Sequence, residues 1–264
     1  MKKLLLLGFI LSIIIACQQP ETKNQVIDTA NESKTKDLPA LLQKALKAHG
    51  GLDRWNEMKT MEYSFPKEES KEQQVIDLEN RKVMLIGKNY KVGFDGADVW
   101  VSPNLAAFGK RSARFYHNLI FYFYAMPFVL ADDGINYEQL PERSFKDKEY
   151  AALKISYQSG VGDAPNDYYV AHFSKTTGLM EYLLYTVTYY SKEKSEKFNA
   201  LHYSEWETVN GLKLPKKMVS YNFENGELGE MKYERVFSDA SLSKDKKPTS
   251  FFAKPEQAEI SPLE

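Results

Sequence analysis

The sequence predicts a mainly β protein with helices, an α+β arrangement. In it, a curved antiparallel sheet, or incomplete β-barrel, is covered on its concave side by helices. Three observations carry this. From Thr60 onward, runs rich in Val, Ile, Tyr and Phe recur between turn residues, with Asp95-Gly96, Asn210-Gly211 and Asn225-Gly226 the clearest; such dipeptides favour tight hairpin turns. The runs follow one another with short connections, so an antiparallel meander is the economical topology. One stretch, residues 115–130, breaks the β pattern: seven of its sixteen residues are Phe or Tyr and none is formally charged at neutral pH. With Pro127 inside it, this stretch is too short and too interrupted to span a bilayer. A helix apolar on nearly every side is either plain core or the wall of an apolar pocket.

Ahead of that domain, the chain opens with Lys2 and Lys3, an apolar run over residues 4–15, and Ala16 before Cys17. A basic start, a short apolar core and a small residue are the marks of a secretory signal over residues 1–16. Cys17 is the only cysteine, so no internal disulfide is expected. Ile14-Ile15-Ala16-Cys17 resembles the lipobox of bacterial lipoproteins. That resemblance implies cleavage before Cys17, lipidation of Cys17 and membrane attachment, since several acyl chains anchor firmly. Removing Lys2 and Lys3 with the leader leaves 33 basic against 36 acidic side chains, a formal charge of −3. This near-neutral balance gives no electrostatic footprint for nucleic acid. Residues 17–36 are polar and read as a tether, and residues 37–264 as one β-rich domain, expected to be monomeric.

Within the domain, Asp37 is the expected cap of a first helix whose apolar residues run from Leu38 to Ala48 and which ends at Gly50 or Gly51. Asp53 caps a second short turn carrying Trp55 and Met58. Expected strands follow at 60–65, 73–79, 82–87, 89–94 and 98–102. Leu105 and Phe108 are expected at an exposed tip. Lys110, Arg111 and Arg114 precede the aromatic stretch, and Arg111 and Arg114 are candidates to receive an anionic head group. Strands resume at 135–140, 143–145 and 151–157, then at 168–173, 179–190, 198–209, 213–223 and 231–237. Counting register through these turns places Val170, His172, Leu183, Tyr185, Val187, Phe198, Ala200, His202, Trp206, Val219, Tyr221 and Phe223 on the inner face. Glu181, Glu205 and Glu207 fall on the solvated face. The end of the chain after Pro255 is expected to be loose.

Chemistry is sparse. His49, His117, His172 and His202 show no helical metal-binding spacing, and no thiolates stand near them. His49-Gly50-Gly51 stands where a helix must end, so capping explains the glycines better than an oxyanion loop does. No Gly-x-Ser-x-Gly elbow, P-loop or dinucleotide fingerprint occurs. Neither a catalytic residue nor a metal or cofactor is therefore expected.

Ala48-His49-Gly50-Gly51 with Trp55, Pro127-Phe128-Val129-Leu130 after the aromatic stretch, and Asn210-Gly211-Leu212-Lys213-Leu214-Pro215 in a late hairpin together resemble a group of bacterial envelope lipoproteins. These are similar in architecture to the lipoprotein-sorting carriers and receptors (the LolA/LolB-like fold). The resemblance spans roughly residues 38–255. It implies an envelope protein, of the outer membrane, that holds an acyl chain or lipoprotein between sheet and helices. The expected pocket lining is Phe115, Leu119, Tyr122, Phe123, Met126, Phe128, Tyr185, Trp206 and Tyr221. The alternative is a structural or protein-interaction lipoprotein with a filled core.

Overall fold

Strand-forming residues dominate the domain, and a computed structural model describes residues 38–158, 164 and 166–262. Helices α1 (Ala40–Ala48) and α2 (Leu52–Glu57) come first. Pro39, rather than a hydrogen-bonding side chain, precedes α1; Asp37, the expected cap, lies outside the described residues. Five strands follow as a meander: β1 (Thr60–Lys67), β2 (Ser70–Asp77), β3 (Val83–Ile86), β4 (Lys91–Phe94) and β5 (Val99–Ser102). After the helical segment, β6 (Ile135–Phe145), β7 (Lys148–Tyr157), β8 (Tyr168–Ser174), β9 (Met180–Tyr185), β10 (Asn199–Val209), β11 (Leu212–Glu224) and β12 (Glu227–Val236) form a second meander. Two strands the sequence pattern did not suggest, β13 (Ser238–Ser243) and β14 (Glu259–Ile260), complete the first sheet.

The curved antiparallel sheet is thus built as two seven-stranded sheets, in the orders β13-β1-β2-β3-β4-β5-β14 and β12-β11-β10-β9-β8-β7-β6. They approach each other along β1 with β12 and β10 with β13, without closing into a barrel. The expected loose tail is instead ordered: Glu259 and Ile260 pair with Val101 and Trp100, and Phe252 and Ala258 bury beside Trp100.

The stretch 115–130 is not one helix. It forms α3 (Ala113–Tyr116), α4 (Leu119–Tyr124) and a 3-10 turn (Phe128–Ala131); Pro127, which has no N–H to continue the hydrogen-bond ladder, separates α4 from the 3-10 turn. Every residue from Phe123 to Leu130 is buried, packed with residues of both sheets in one apolar cluster.

On β8, β10 and β11 the faces are mostly the reverse of those expected, although Trp206, expected inward, does pack against the core. Ala171, Phe173, Leu201, Tyr203 and Met218 face the core together with Leu183 and Tyr185. Val170, Ala200, Phe198, Tyr221 and Phe223 lie on the outer face, in a separate apolar cluster with Leu184. β9 stops at Tyr185, five residues short of the expected end. Buried Asp167 there accepts the Thr188 backbone N–H at 2.6 Å, which diverts the chain from the ladder. Counting across this irregular 186–198 connection loses one residue of register for β10 and β11, and the register shift between His172 and Phe173 in the β8–β9 pair does the same for β8; one residue is enough to flip a face. Glu207 accordingly faces inward, opposite Leu214, and not solvent.

Three motifs quoted above meet at one end of the molecule. His49 donates from Nδ1 to the Lys213 carbonyl at 3.2 Å and accepts at Nε2 from the Met180 N–H at 3.1 Å. Arg54 donates to the Gly211 carbonyl at 3.1 Å, and Trp55 stacks on Phe128 with ring centroids 4.7 Å apart. Gly50 has φ of 111°, and a Cβ there would sit 2.2 Å from the Gly211 carbonyl oxygen. Gly50→Ala should therefore destabilise by about 2–3 kcal/mol, combining left-handed strain with a backbone clash. A shift in the urea midpoint equivalent to less than about 0.5 kcal/mol would show that the clasp is not this tight.

Candidate functional site: a basic cleft over a buried Lys67–Glu72 network

Strand alternation builds the site. On β1, Met61, Tyr63 and Phe65 face the core, and the same parity carries Lys67 inward at the strand's end. On β2, Ile76 faces the core and so do Gln74 and Glu72, both fully buried. A buried carboxylate demands partners, and Glu72 has four. Lys67 Nζ donates to Oε2 at 2.5 Å, and the Tyr90 hydroxyl donates to the same oxygen. Gln74 Nε2 and the Tyr116 hydroxyl donate to Oε1 at 2.7 and 3.1 Å. Tyr63 in turn donates to Gln74 Oε1 at 2.6 Å. The Lys67 ammonium is also boxed by the rings of Tyr116, Tyr90 and Phe108, 4.6, 4.8 and 5.3 Å from their centroids. Burial, then the Glu72 carboxylate, pushes the Tyr90 and Tyr116 phenols well above their ordinary range. Both therefore stay protonated donors at neutral pH.

Above this network lies a cleft of about 890 Å³ between the β1–β2 turn, the β3–β4 turn and the loop after the 3-10 turn Leu105–Phe108. Its lining includes Lys67, Lys71, Lys88, Lys110 and Arg111 against Glu68 and Glu69, with Tyr90 and Phe108 as apolar wall. The volume is that of a small-molecule site. Leu105 and Phe108 are not an exposed tip: both are half-buried and packed on the core, and Glu259 of β14 accepts the Leu105 N–H at 2.8 Å. So the last strand holds the loop that roofs the cleft.

The expected pocket residues lie in several packing contacts. Phe123 lies on Tyr185 at 4.8 Å, and the Tyr203 hydroxyl donates to the Phe123 carbonyl. Met126 and Phe128 are buried, and Trp206 packs on His49 at 4.7 Å. Phe115 rests on Tyr189, and Tyr122 shares a hydrogen bond with Tyr157; Leu119 is half-buried. Tyr221 is on the opposite face of its sheet, a correction that follows from the register reversal. Of the head-group candidates, Arg111 lines the cleft, its guanidinium 5.2 Å from the Tyr116 ring centroid. Arg114 is half-buried in α3, outside the cleft lining.

Lys67, Glu72, Tyr90 and Tyr116 were missed because the 66–71 segment reads as a polar turn. Strand parity was the available signal, since Glu72 and Gln74 share the inward phase of Ile76. Among the described residues, no group of three or more His, Cys, Asp or Glu side chains could hold a metal ion, and no helix is long and apolar enough to cross a membrane.

Over residues 78–233 the sequence matches a family of unknown function (DUF6503). No curated protein matches the chain. Among solved structures, it is similar to a LolA superfamily protein from Nitrosomonas europaea, with 11% identity, TM-score 0.47 and coverage of 80% of this chain and 97% of that one. A DUF1329 family protein from Desulfovibrio piger gives 13% identity and TM-score 0.45, covering 77% and 92%. A putative outer membrane lipoprotein-sorting protein domain from Vibrio parahaemolyticus gives 12% identity and TM-score 0.43, covering 80% and 97%.

Proposed function

The chain belongs to the family of unknown function DUF6503, and we propose that it is an envelope lipoprotein, tethered through lipidated Cys17, that binds an amphiphilic, lipid-like ligand without transforming it. The observation that carries this is the cleft over Lys67 and Glu72. It is of ligand size, has an aromatic wall of Tyr90 and Phe108, and rests on a floor whose hydrogen bonds are already satisfied. Apolar burial against the wall would supply affinity, while fixed polar groups orient the ligand. The interior between the sheets, filled by Phe121, Tyr124, Met126 and Phe128, is ordinary core in this reading.

Native mass spectrometry followed by organic extraction tests it. A co-purified fatty acid or phospholipid, or uptake of a fluorescent fatty acid, is expected. Phe108→Ser in a still-folded variant should weaken uptake by about tenfold, the loss of one well-packed aromatic contact. A clean unliganded mass with no uptake would overturn the proposal.

A further inference from the structure

Lys67 is already committed to Glu72 and three rings, yet the cleft above it carries more positive charge than its acidic residues neutralise. Lys71 is paired with Asp239 at 3.2 Å and Lys88 with Glu69 at 3.6 Å. Lys110 and Arg111, both exposed, make no ion pair among the described residues. They follow Gly109, whose φ of 86° turns the chain out of the 3-10 turn, and they stand on the cleft's rim. Arg111 lies over the ring of Tyr116, which also bonds Glu72. Its guanidinium thus lies close to an aromatic ring at the rim of the cleft, where an anion can reach it.

We propose that Lys110 and Arg111 form an anion-binding subsite that reads a carboxylate or phosphate on the ligand. This rests on the cleft being the ligand site. The two cations face an anion at the rim, while the ligand's apolar part runs along Phe108 and Tyr90. A planar guanidinium suits bidentate contact with either oxyanion. The Glu72 network contributes by keeping Lys67 and its rings fixed, so the floor does not compete for the anion. Because the subsite is exposed, its contribution is sensitive to salt.

The test is calorimetry on the full chain carrying Cys17→Ser, with octanoate, octan-1-ol and orthophosphate as probes. Octanoate should bind about tenfold or more tightly than octan-1-ol, the worth of a charge-assisted contact. Lys110→Ala/Arg111→Ala should bring octanoate down to the alcohol's affinity without moving the thermal midpoint, because both side chains are exposed. Equal affinity for acid and alcohol would overturn the anion subsite and leave the amphiphile reading standing. Orthophosphate binding that requires Lys110 and Arg111, with neither amphiphile bound, would support the subsite and overturn the lipid-like ligand. No binding of any probe to folded protein would overturn both.

Discussion

Taking the protein from pH 7 to pH 5 is expected to cost about 4 kcal/mol of folding stability through two histidines alone. Burial lowers His49 to about 4, outweighing its hydrogen bond to the Lys213 carbonyl. Burial, and then the nearby Arg143 charge, lowers His172 to about 4 as well. In the unfolded chain both return to an ordinary value near 6.5. Between those values the unfolded chain takes up two protons that the folded protein refuses, so stability falls with pH. The contribution is complete above 6.5, is lost as pH drops toward 4, and is constant below that. Urea unfolding at the two pH values measures it, above the range where most carboxylates titrate. His172→Phe keeps the packing beside Phe145 and Tyr182 and should remove about half of the pH dependence. It also removes a buried Nδ1 that has no hydrogen-bond partner, so stability at pH 7 should hold or rise. A urea midpoint unchanged from pH 7 to pH 5 would refute the account.

The same two histidines show what the sequence could convey. His49 was legible only as the end of a helix, with capping explaining its two glycines; that it docks on the Gly211–Lys213 hairpin is what the structure adds. The face of His172 was not legible, because it depends on a register shift beside it in the β8–β9 pair, between His172 and Phe173, that the residues on either side do not announce. Where turns are two residues long, as at Asn210-Gly211 and Asn225-Gly226, the pairing follows directly from the turn residues. Hydrophobicity could not rescue the count, since the second sheet buries an apolar cluster on its outer face as well and both parities look alike. The aromatic stretch was recognisable as buried, while its division into short helical pieces, first at residues 117–118 and again at Pro127, depends on what packs around it. β13 and β14 are polar and short, and only a neighbouring strand with a free edge makes them strands. The cleft was hidden for another reason: its key pair is charged, and charged residues beside a turn usually face solvent.

Glu72→Gln is expected to destabilise the fold by about 3 kcal/mol, because removing one member of a buried ion pair strands the other. Gln keeps the volume and one acceptor, so the loss isolates charge from packing. Lys67 is only partly shielded, with its side chain 23% exposed against 0% for Glu72, which holds the cost to the lower part of the usual range. Lys67→Met in the Glu72→Gln background should recover part of the loss, giving a coupling of about 1–2 kcal/mol in a double-mutant cycle. Recovery stays incomplete because Tyr90, Tyr116 and Gln74 all donate to Glu72, and a neutral amide oxygen cannot serve three donors as well as a carboxylate does. A Glu72→Gln variant within about 0.5 kcal/mol of the parent would mean that water already compensates the pair. Ligand binding offers an independent readout. If the network fixes the floor of the cleft, Glu72→Gln should weaken an amphiphile bound above it and should make orthophosphate binding less dependent on Lys110 and Arg111, because the unpaired Lys67 ammonium in the same cleft then competes for the anion. A static floor acts on the apolar part of the ligand, and the rim cations act on its charge.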